Sequence, residues 1–132
     1  MPVVSYLDAT HGSLKVAKCG NAACSSGNTL SVVDTGSIAY PSMTIGSDGM
    51  PIMTYYDSAN QDLKMAKCGN AACSAGNLLT SLDSGYGDVG WFSTITIGTD
   101  GLPIIAYINS TYASLRVLKC ANVYCLSNWS RR

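Results

Sequence analysis

The stretch LKMAKCGNAAC at residues 63–73 decides the fold because it recurs along the chain. An almost identical copy, LKVAKCGNAAC, lies at residues 14–24, and a more divergent copy, LRVLKCANVYC, lies at residues 115–125. The cysteines return after 49 and then 52 residues, a period typical of repeat architectures. We therefore interpret residues 1–132 as a single domain built from three repeats.

The composition favours β-structure with many tight turns. All eight acidic residues are aspartates and there are 13 glycines, residue types that populate turns and strand ends rather than helices. The formal net charge is zero and only 12% of the residues are charged, which gives no basis for binding nucleic acid or an anionic membrane surface. The apolar runs are too short to span a bilayer. We predict an all-β fold, with neither nucleic acid nor membrane as a partner.

Aligning the copies on their cysteines divides each unit into four short strands. In the middle unit the predicted strands are residues 42–46, 51–57, 63–68 and 78–82. Between the first two, Asp48-Gly49 supplies the positive φ of a tight hairpin turn. The second strand is apolar on both faces, which predicts that it is covered on both sides. Four strands in a repeat of about 50 residues are typical of a β-propeller blade.

The predicted blades cover residues of about 2–35, 40–85 and 92–132, and the first lacks its leading strand. Three blades leave two terminal faces exposed, whereas propellers avoid open faces by closing into a ring. Two-fold symmetry is the commonest arrangement of homo-oligomers. We therefore predict a homodimer in which two chains complete one six-blade ring.

The middle unit resembles a repeat found in tandem arrays in large exported bacterial proteins. The form of that repeat is S-x-x-I-G-x-D-G-x-P-x-x-x-Y-Y-D followed by L-K-x-x-x-C-x-x-x-x-C, and residues 42–73 match it throughout. The first unit lacks the leading strand, and the third departs from the pattern at Asn109 and Tyr124. The resemblance implies a propeller-like fold and carries no known activity.

Six cysteines form three Cys-x4-Cys pairs, Cys19/Cys24, Cys68/Cys73 and Cys120/Cys125. A disulfide within each pair would clip a hairpin and stabilise it by ~2–3 kcal/mol at most. Two alternatives remain, reduced thiols in a cytosolic protein and a zinc site, which usually needs four ligands. Disulfides would indicate an exported or extracellular protein, although the N-terminus has no signal-peptide pattern. We predict three disulfides and no metal.

Charged residues also recur with the repeat. Lysines precede the first cysteine of each unit, and we predict structural pairs with residues at the end of the second strand: Lys18, Lys67 and Lys119 with Asp8, Asp57 and the carbonyl of Asn109. The alternative is a ring of cations that binds an anionic sugar or polymer. We interpret Asp48 and Asp100 as turn residues, with calcium binding as the alternative.

Aromatic residues supply the candidate binding site. Tyr86, Trp91 and Phe92 lie in or beside the Gly-rich segment where the repeat gains three residues, and Tyr40 is the counterpart of Phe92. Aromatic rings at the mouth of a propeller suit stacking on a sugar or contact with a protein partner; the alternative is a loop folded over the core. The tyrosines of the second strands are predicted to pack between blades with bonded hydroxyls: Tyr6, Tyr55, Tyr56 and Tyr107.

Catalysis has little support in the sequence. His11 is the single histidine, which removes histidine-based triads and multi-histidine metal sites. We predict no cofactor and interpret the chain as a non-enzymatic binding module for carbohydrate or a protein surface. The alternatives are a structural repeat that assembles without a small-molecule ligand and, less favoured, an aspartate-dependent hydrolase.

Overall fold

The protein is described by a computed structural model that covers residues 1–126 and 128–131, and every regular element in these residues is a β-strand. The strands are β1 (Val3–Asp8), β2 (Ser13–Lys18), β3 (Thr29–Thr35), β4 (Ile38–Ile45), β5 (Pro51–Asp57), β6 (Asp62–Lys67), β7 (Leu78–Asp83), β8 (Val89–Ile97), β9 (Pro103–Asn109), β10 (Ser114–Cys120) and β11 (Asn128–Arg131). They form three antiparallel sheets in the orders β1-β2-β3, β4-β5-β6-β7 and β8-β9-β10-β11, called sheets 1, 2 and 3. The predicted all-β fold is confirmed.

The first strands of sheets 2 and 3 begin earlier than predicted because each contains a bulge. β4 starts at Ile38 rather than at residue 42, and its counterpart β8 starts at Val89, three residues before Phe92. The pairing of each strand with its neighbour shifts register after this start. Tyr40 and Phe92 lie in the bulges with left-handed φ values of +54° and +49°, and a bulge redirects side chains out of the strand's alternation.

The sheets pack face to face around two cores. At the first junction, Leu14 and Val16 of sheet 1 pack with Met53 and Tyr55 of sheet 2, and all four are fully buried. At the second junction, the opposite face of sheet 2 packs on sheet 3 through Ile52, Leu63, Met65, Ile105, Tyr107 and Leu118. Every residue of β5 from 51 to 56 is buried. The prediction that this strand is covered on both sides is therefore confirmed.

The aspartates of the Asp-Gly turns form ion pairs with Lys67 and Lys119, for which the sequence analysis predicted other partners. Lys67 Nζ lies 2.8 Å from Asp48 Oδ2, and Lys119 Nζ lies 2.8 Å from Asp100 Oδ1. The predicted pairing with Asp57 was wrong because β5 and β6 are antiparallel, which places Lys67 opposite Ile52 at the other end of β5.

The other two predicted lysine pairs were also wrong. Asp8 Oδ2 accepts a hydrogen bond from Lys15 Nζ at 2.6 Å rather than from Lys18, and Lys119 bonds the carbonyl of Leu102 rather than that of Asn109. The turn interpretation of Asp48 and Asp100 is confirmed, since their carboxylates accept the backbone N–H of the residue two positions on.

Each predicted cysteine pair forms a disulfide: Cys19–Cys24, Cys68–Cys73 and Cys120–Cys125. The Cα atoms are 4.7 to 4.8 Å apart, within the normal range for the bond. The disulfides close the connections that follow β2, β6 and β10. The repeated motif is thus a covalent clip, and three disulfides fit an extracellular protein.

Candidate binding site at the second junction

A hydrogen-bonded bridge joins sheet 1 to sheet 2. Asp34, at the end of β3, accepts hydrogen bonds on Oδ2 from the Tyr55 hydroxyl at 2.7 Å and from Lys64 Nζ at 2.6 Å. Tyr55 and Lys64 are direct cross-strand partners on β5 and β6, so both side chains reach the same side of sheet 2. We call Asp34, Tyr55 and Lys64 the first bridge.

The same arrangement joins sheet 2 to sheet 3. Asp83, at the end of β7, accepts hydrogen bonds on Oδ2 from the Tyr107 hydroxyl at 2.7 Å and from the Arg116 guanidinium at 2.9 Å. Tyr107 and Arg116 are again direct cross-strand partners. We call these three residues the second bridge. The prediction that Tyr55 and Tyr107 pack between units with bonded hydroxyls is confirmed.

The bridges hold ionised aspartates against protonated tyrosines. Burial raises the pKa of Asp34 and of Asp83, but the hydrogen bonds that each carboxylate accepts lower it by more, so both pKa values lie below the usual range. Burial and the neighbouring carboxylate raise the pKa of Tyr55 and of Tyr107. Each carboxylate therefore stays charged and each phenol keeps its proton at neutral pH.

The loop of residues 84–88 follows the second bridge and is held by Asn109. This side chain is fully buried; its amide nitrogen donates to the Tyr86 carbonyl at 3.0 Å, and its oxygen accepts from the Tyr112 backbone N–H at 3.2 Å. A carboxylate at this position has no hydrogen to donate to a carbonyl. The change from the repeat's aspartate to asparagine therefore accompanies the longer loop for a chemical reason.

Four aromatic side chains from sheets 2 and 3 meet beside this loop. The Tyr40 ring centre lies 4.4 Å from that of Phe92 and 5.8 Å from that of Trp91, and the Tyr56 and Trp91 ring centres are 5.5 Å apart. Tyr56 is buried, whereas Tyr40 is 36% and Phe92 is 61% exposed. We call Tyr40, Tyr56, Trp91 and Phe92 the aromatic platform.

Asp88 fixes the platform from the loop side. Its Oδ1 accepts hydrogen bonds from the Tyr56 hydroxyl at 2.7 Å and from the Trp91 indole nitrogen at 2.8 Å. Burial raises the pKa of Asp88, but these hydrogen bonds lower it below its usual value. Burial and this carboxylate raise the pKa of Tyr56 to about 12. The platform therefore includes a fixed negative charge at its edge.

A cleft of about 400 Å³ adjoins the same loop through Tyr86. It is lined by Tyr86, Tyr112, Ser114 and Arg116. Both tyrosine rings are exposed, whereas Arg116 is only 4% exposed and its Nε is buried with no hydrogen-bond partner among the described residues. Two tyrosines and a buried guanidinium thus surround one concave surface.

The structure places the four sequence-predicted site residues in two neighbouring groups. Tyr40, Trp91 and Phe92 come together in the platform, and Tyr86 lies in the cleft. Sequence reasoning missed Asp88, the acidic residue of the loop at residues 84–88. The signal was available, because the shorter connection at residues 36–37 has no acidic residue. Tyr56 was assigned to packing between blades; its hydroxyl is bonded as predicted, and its ring also supports the platform.

Other parts of the described chain offer little chemistry. The residues that the structure describes contain no cluster of three or more His, Cys, Asp or Glu side chains arranged to hold a metal ion, and within the same residues no helix is long and apolar enough to cross a membrane. His11 is exposed, and its Nδ1 lies 2.9 Å from Asp8 Oδ2. Local pairing accounts for its position in a turn.

Comparison with known proteins does not assign this chain to a family. No protein family model matches it, and a search of curated proteins finds no match. The platform and the cleft are therefore the basis on which a function is inferred.

Proposed function

We propose that this protein is a non-enzymatic carbohydrate-binding module and that the aromatic platform is its sugar-binding surface. The observation that carries the proposal is the pair formed by Tyr40 and Phe92, whose rings lie 4.4 Å apart and remain exposed. Exposed large apolar side chains that are clustered rather than scattered mark interaction sites. Rings in this arrangement offer an apolar surface to the C–H face of a sugar.

The edge of the platform supplies the polar half of such a site. Asp88 Oδ1 accepts the hydrogen bonds from the Tyr56 hydroxyl and the Trp91 indole nitrogen, which leaves Oδ2 with capacity to accept. A carboxylate accepts on both oxygens, so Oδ2 is available to a sugar hydroxyl. Because the same hydrogen bonds fix the Trp91 ring, the site is preorganised and little side-chain entropy is lost on binding.

The test is binding of a panel of neutral oligosaccharides to the wild type and to the Phe92→Ala variant. Removing a stacked ring should weaken binding by about tenfold or more. The Tyr124→Ala variant is the matched control because Tyr124 is also exposed but lies in a disulfide-closed hairpin, and its affinity should equal that of the wild type. If no neutral sugar binds, or if the Phe92→Ala and Tyr124→Ala variants bind equally well, the platform is not a sugar site. Its exposed rings would then be assigned to contact with a protein surface.

We propose further that the three sheets are propeller blades and that a second copy of the chain completes a six-blade ring. The uncovered face of sheet 3 supports this assembly. Leu115 and Val117 are 63% and 38% exposed, whereas their counterparts Leu63 and Met65 are fully buried by the next sheet. A hollow of about 380 Å³ on this face is lined by Ile104, Val117, Lys119 and Trp129.

The opposite end of the stack has a matching face. Val4 of sheet 1 is 50% exposed, whereas its counterpart Met53 is fully buried. Tyr6 and Lys15 are direct partners here, as Tyr55 and Lys64 are in the first bridge. Both faces thus present residues that are buried at the internal junctions, and packing one against the other would continue the stacking of the sheets. The same assembly is what we expect under the alternative function, in which the protein is a structural repeat that assembles without a small-molecule ligand.

Light scattering tests the assembly. The wild type is expected to have the mass of two chains, and Val117→Lys, which places a charge on the uncovered face of sheet 3, is expected to have the mass of one. Tyr124→Lys is the matched control and should remain dimeric. A folded wild-type protein with the mass of one chain would overturn the dimer without affecting the test of the platform.

A further inference from the structure

The cleft differs from its counterpart in the middle repeat by a consistent change of charge. Asn109 and Ser114 occupy the positions of Asp57 and Asp62, and an arginine replaces Lys64. Each of the two cations pairs with one aspartate of the preceding sheet. The third repeat therefore lacks two carboxylates at this end of the sheet, gains one in Asp88 of the longer loop and keeps its cation, so this end carries one negative charge fewer than its counterpart.

Arg116 has hydrogen-bond donors to spare. Its guanidinium gives Asp83 one hydrogen bond at 2.9 Å, and its buried Nε has no acceptor among the described residues. A guanidinium carries five donor hydrogens in a planar fork that matches a carboxylate, whereas the ammonium of a lysine is a point charge. Arg116 thus pairs with Asp83 in the second bridge and still has guanidinium donors for a second acceptor in the cleft.

The walls of the cleft are fixed by a single buried side chain. Asn109 bonds the Tyr86 carbonyl through its amide nitrogen and the Tyr112 backbone N–H through its oxygen. The Asp88 backbone N–H also donates to Thr111 Oγ1 at 2.9 Å, which ties the loop to the turn between β9 and β10. The two exposed tyrosine rings therefore flank the guanidinium in a held arrangement.

We infer that this cleft binds the carboxylate of an acidic sugar unit, with Arg116 as the ion partner and Tyr86 and Tyr112 beside the sugar ring. The inference rests on the proposed function and narrows its ligand to an oligosaccharide that contains a uronic acid. Tyr86 lies two residues from Asp88, so their Cα atoms are at most about 7 Å apart. The cleft and the platform are therefore close enough to hold neighbouring sugar units of one oligosaccharide.

The experiment compares trigalacturonate with its methyl ester, which has the same rings without the charge. The acid is expected to bind about tenfold more tightly than the ester, as one charge-assisted contact requires. Arg116→Lys should reduce this ratio to near one, and the variant should fold because lysine occupies this position in the other two repeats. Lys64→Arg is the matched control at the first bridge and should leave the ratio unchanged.

A second readout separates the cleft from the platform. The ¹⁵N–¹H signal of Arg116 Nε is expected to shift on titration with monomeric galacturonate and not with its methyl ester. Equal affinity for acid and ester with no shift would overturn the cleft inference, even where Phe92→Ala still abolishes neutral sugar binding. A shift with galacturonate in a protein that binds no neutral sugar would support the cleft and overturn the platform.

Discussion

The two junctions between the sheets contain the same bridge, and the cleft lined by Tyr86 and Arg116 lies at the second. At the first junction, two residues, 36 and 37, connect β3 to β4; at the second, five residues, 84 to 88, connect β7 to β8. The tyrosine and aspartate of the bridge are common to both junctions, and the cation changes from Lys64 to Arg116. The longer connection adds Tyr86 and Asp88 where the first junction has no counterpart.

This difference separates the residues that hold the sheets together from those that form a surface for a ligand. The tyrosine and aspartate are kept wherever one sheet meets the next, because their hydroxyl and carboxylate satisfy each other in a partly buried place. The residues at the mouth of the second junction are not needed to join the sheets. Three of them differ from their counterparts in the middle repeat: Asn109, Ser114 and Arg116. A junction without the extra loop is therefore a natural reference for the one that has it.

The largest expected effect is that of Asp83→Ala in the second bridge. This substitution leaves the buried Arg116 guanidinium without its carboxylate and the Tyr107 hydroxyl without its acceptor. The free energy of unfolding should fall by about 3–5 kcal/mol, as expected when one partner of a buried ion pair is removed. Urea unfolding with the disulfides intact measures this loss.

The matched variant is Asp34→Ala in the first bridge. The Lys64 side chain is 23% exposed, against 5% for Arg116, so water can solvate the lysine that is left unpaired. The expected loss is smaller, about 1–3 kcal/mol. Equal losses in the two variants would show that the bridges are energetically equivalent and that only the loop distinguishes the junctions.

Gly90→Ala should have the next largest effect. Gly90 is an extra residue in β8, since Val89 pairs with Asn109 as Ile38 pairs with Asp57 and the register shifts between Val89 and Trp91. Its φ is +102°, and an added Cβ would lie 2.8 Å from the Leu63 Cα. Backbone strain and the close contact should together cost about 2–3 kcal/mol. Gly36→Ala is a control for the effect of φ alone, because φ is +130° there and a Cβ meets no atom within 4 Å; a similar loss in both would exclude the contact as the cause.

The sequence predicted what depends on local pattern and missed what depends on register. The two apolar faces of β5 and the Asp48-Gly49 turn were correctly interpreted, because alternation and turn chemistry are properties of neighbouring residues. The partner of Lys67 was wrong because it is set by the antiparallel pairing of β5 with β6. Similarly, the position of Tyr86 outside the platform depends on the path of a loop, which Asn109 fixes through contacts that composition does not reveal.

Acid should weaken both junctions. The pKa values of Asp34 and Asp83 are lowered in the folded protein, so the stability that their ionised forms contribute is present above the unfolded value of about 3.9 and is lost as the pH falls through the folded values. Other aspartates with lowered pKa values contribute in the same direction: Asp8, Asp48, Asp88 and Asp100. The urea midpoint should therefore be flat near neutrality and decrease below about pH 4. Asp83→Asn should show a shallower decrease; an unchanged profile would exclude this carboxylate as a contributor.

The smallest expected effect distinguishes the same turn in two repeats. In sheet 3 of a single chain the pair of Lys119 and Asp100 is exposed, with side chains 32% and 51% accessible, so in the monomeric Val117→Lys background Asp100→Ala should change the free energy of unfolding little. In sheet 2 the Lys67 side chain is 2% accessible, and Asp48→Ala leaves its ammonium with only the Met50 carbonyl at 3.4 Å, for an expected loss of about 2 kcal/mol. Because the turn and the ion pair are the same, the difference measures what covering one sheet by the next contributes. In the wild type, where the proposed second copy of the chain covers sheet 3, the losses of Asp100→Ala and Asp48→Ala should be closer to equal. A difference of the same size in the wild type and in the Val117→Lys background would contradict that cover.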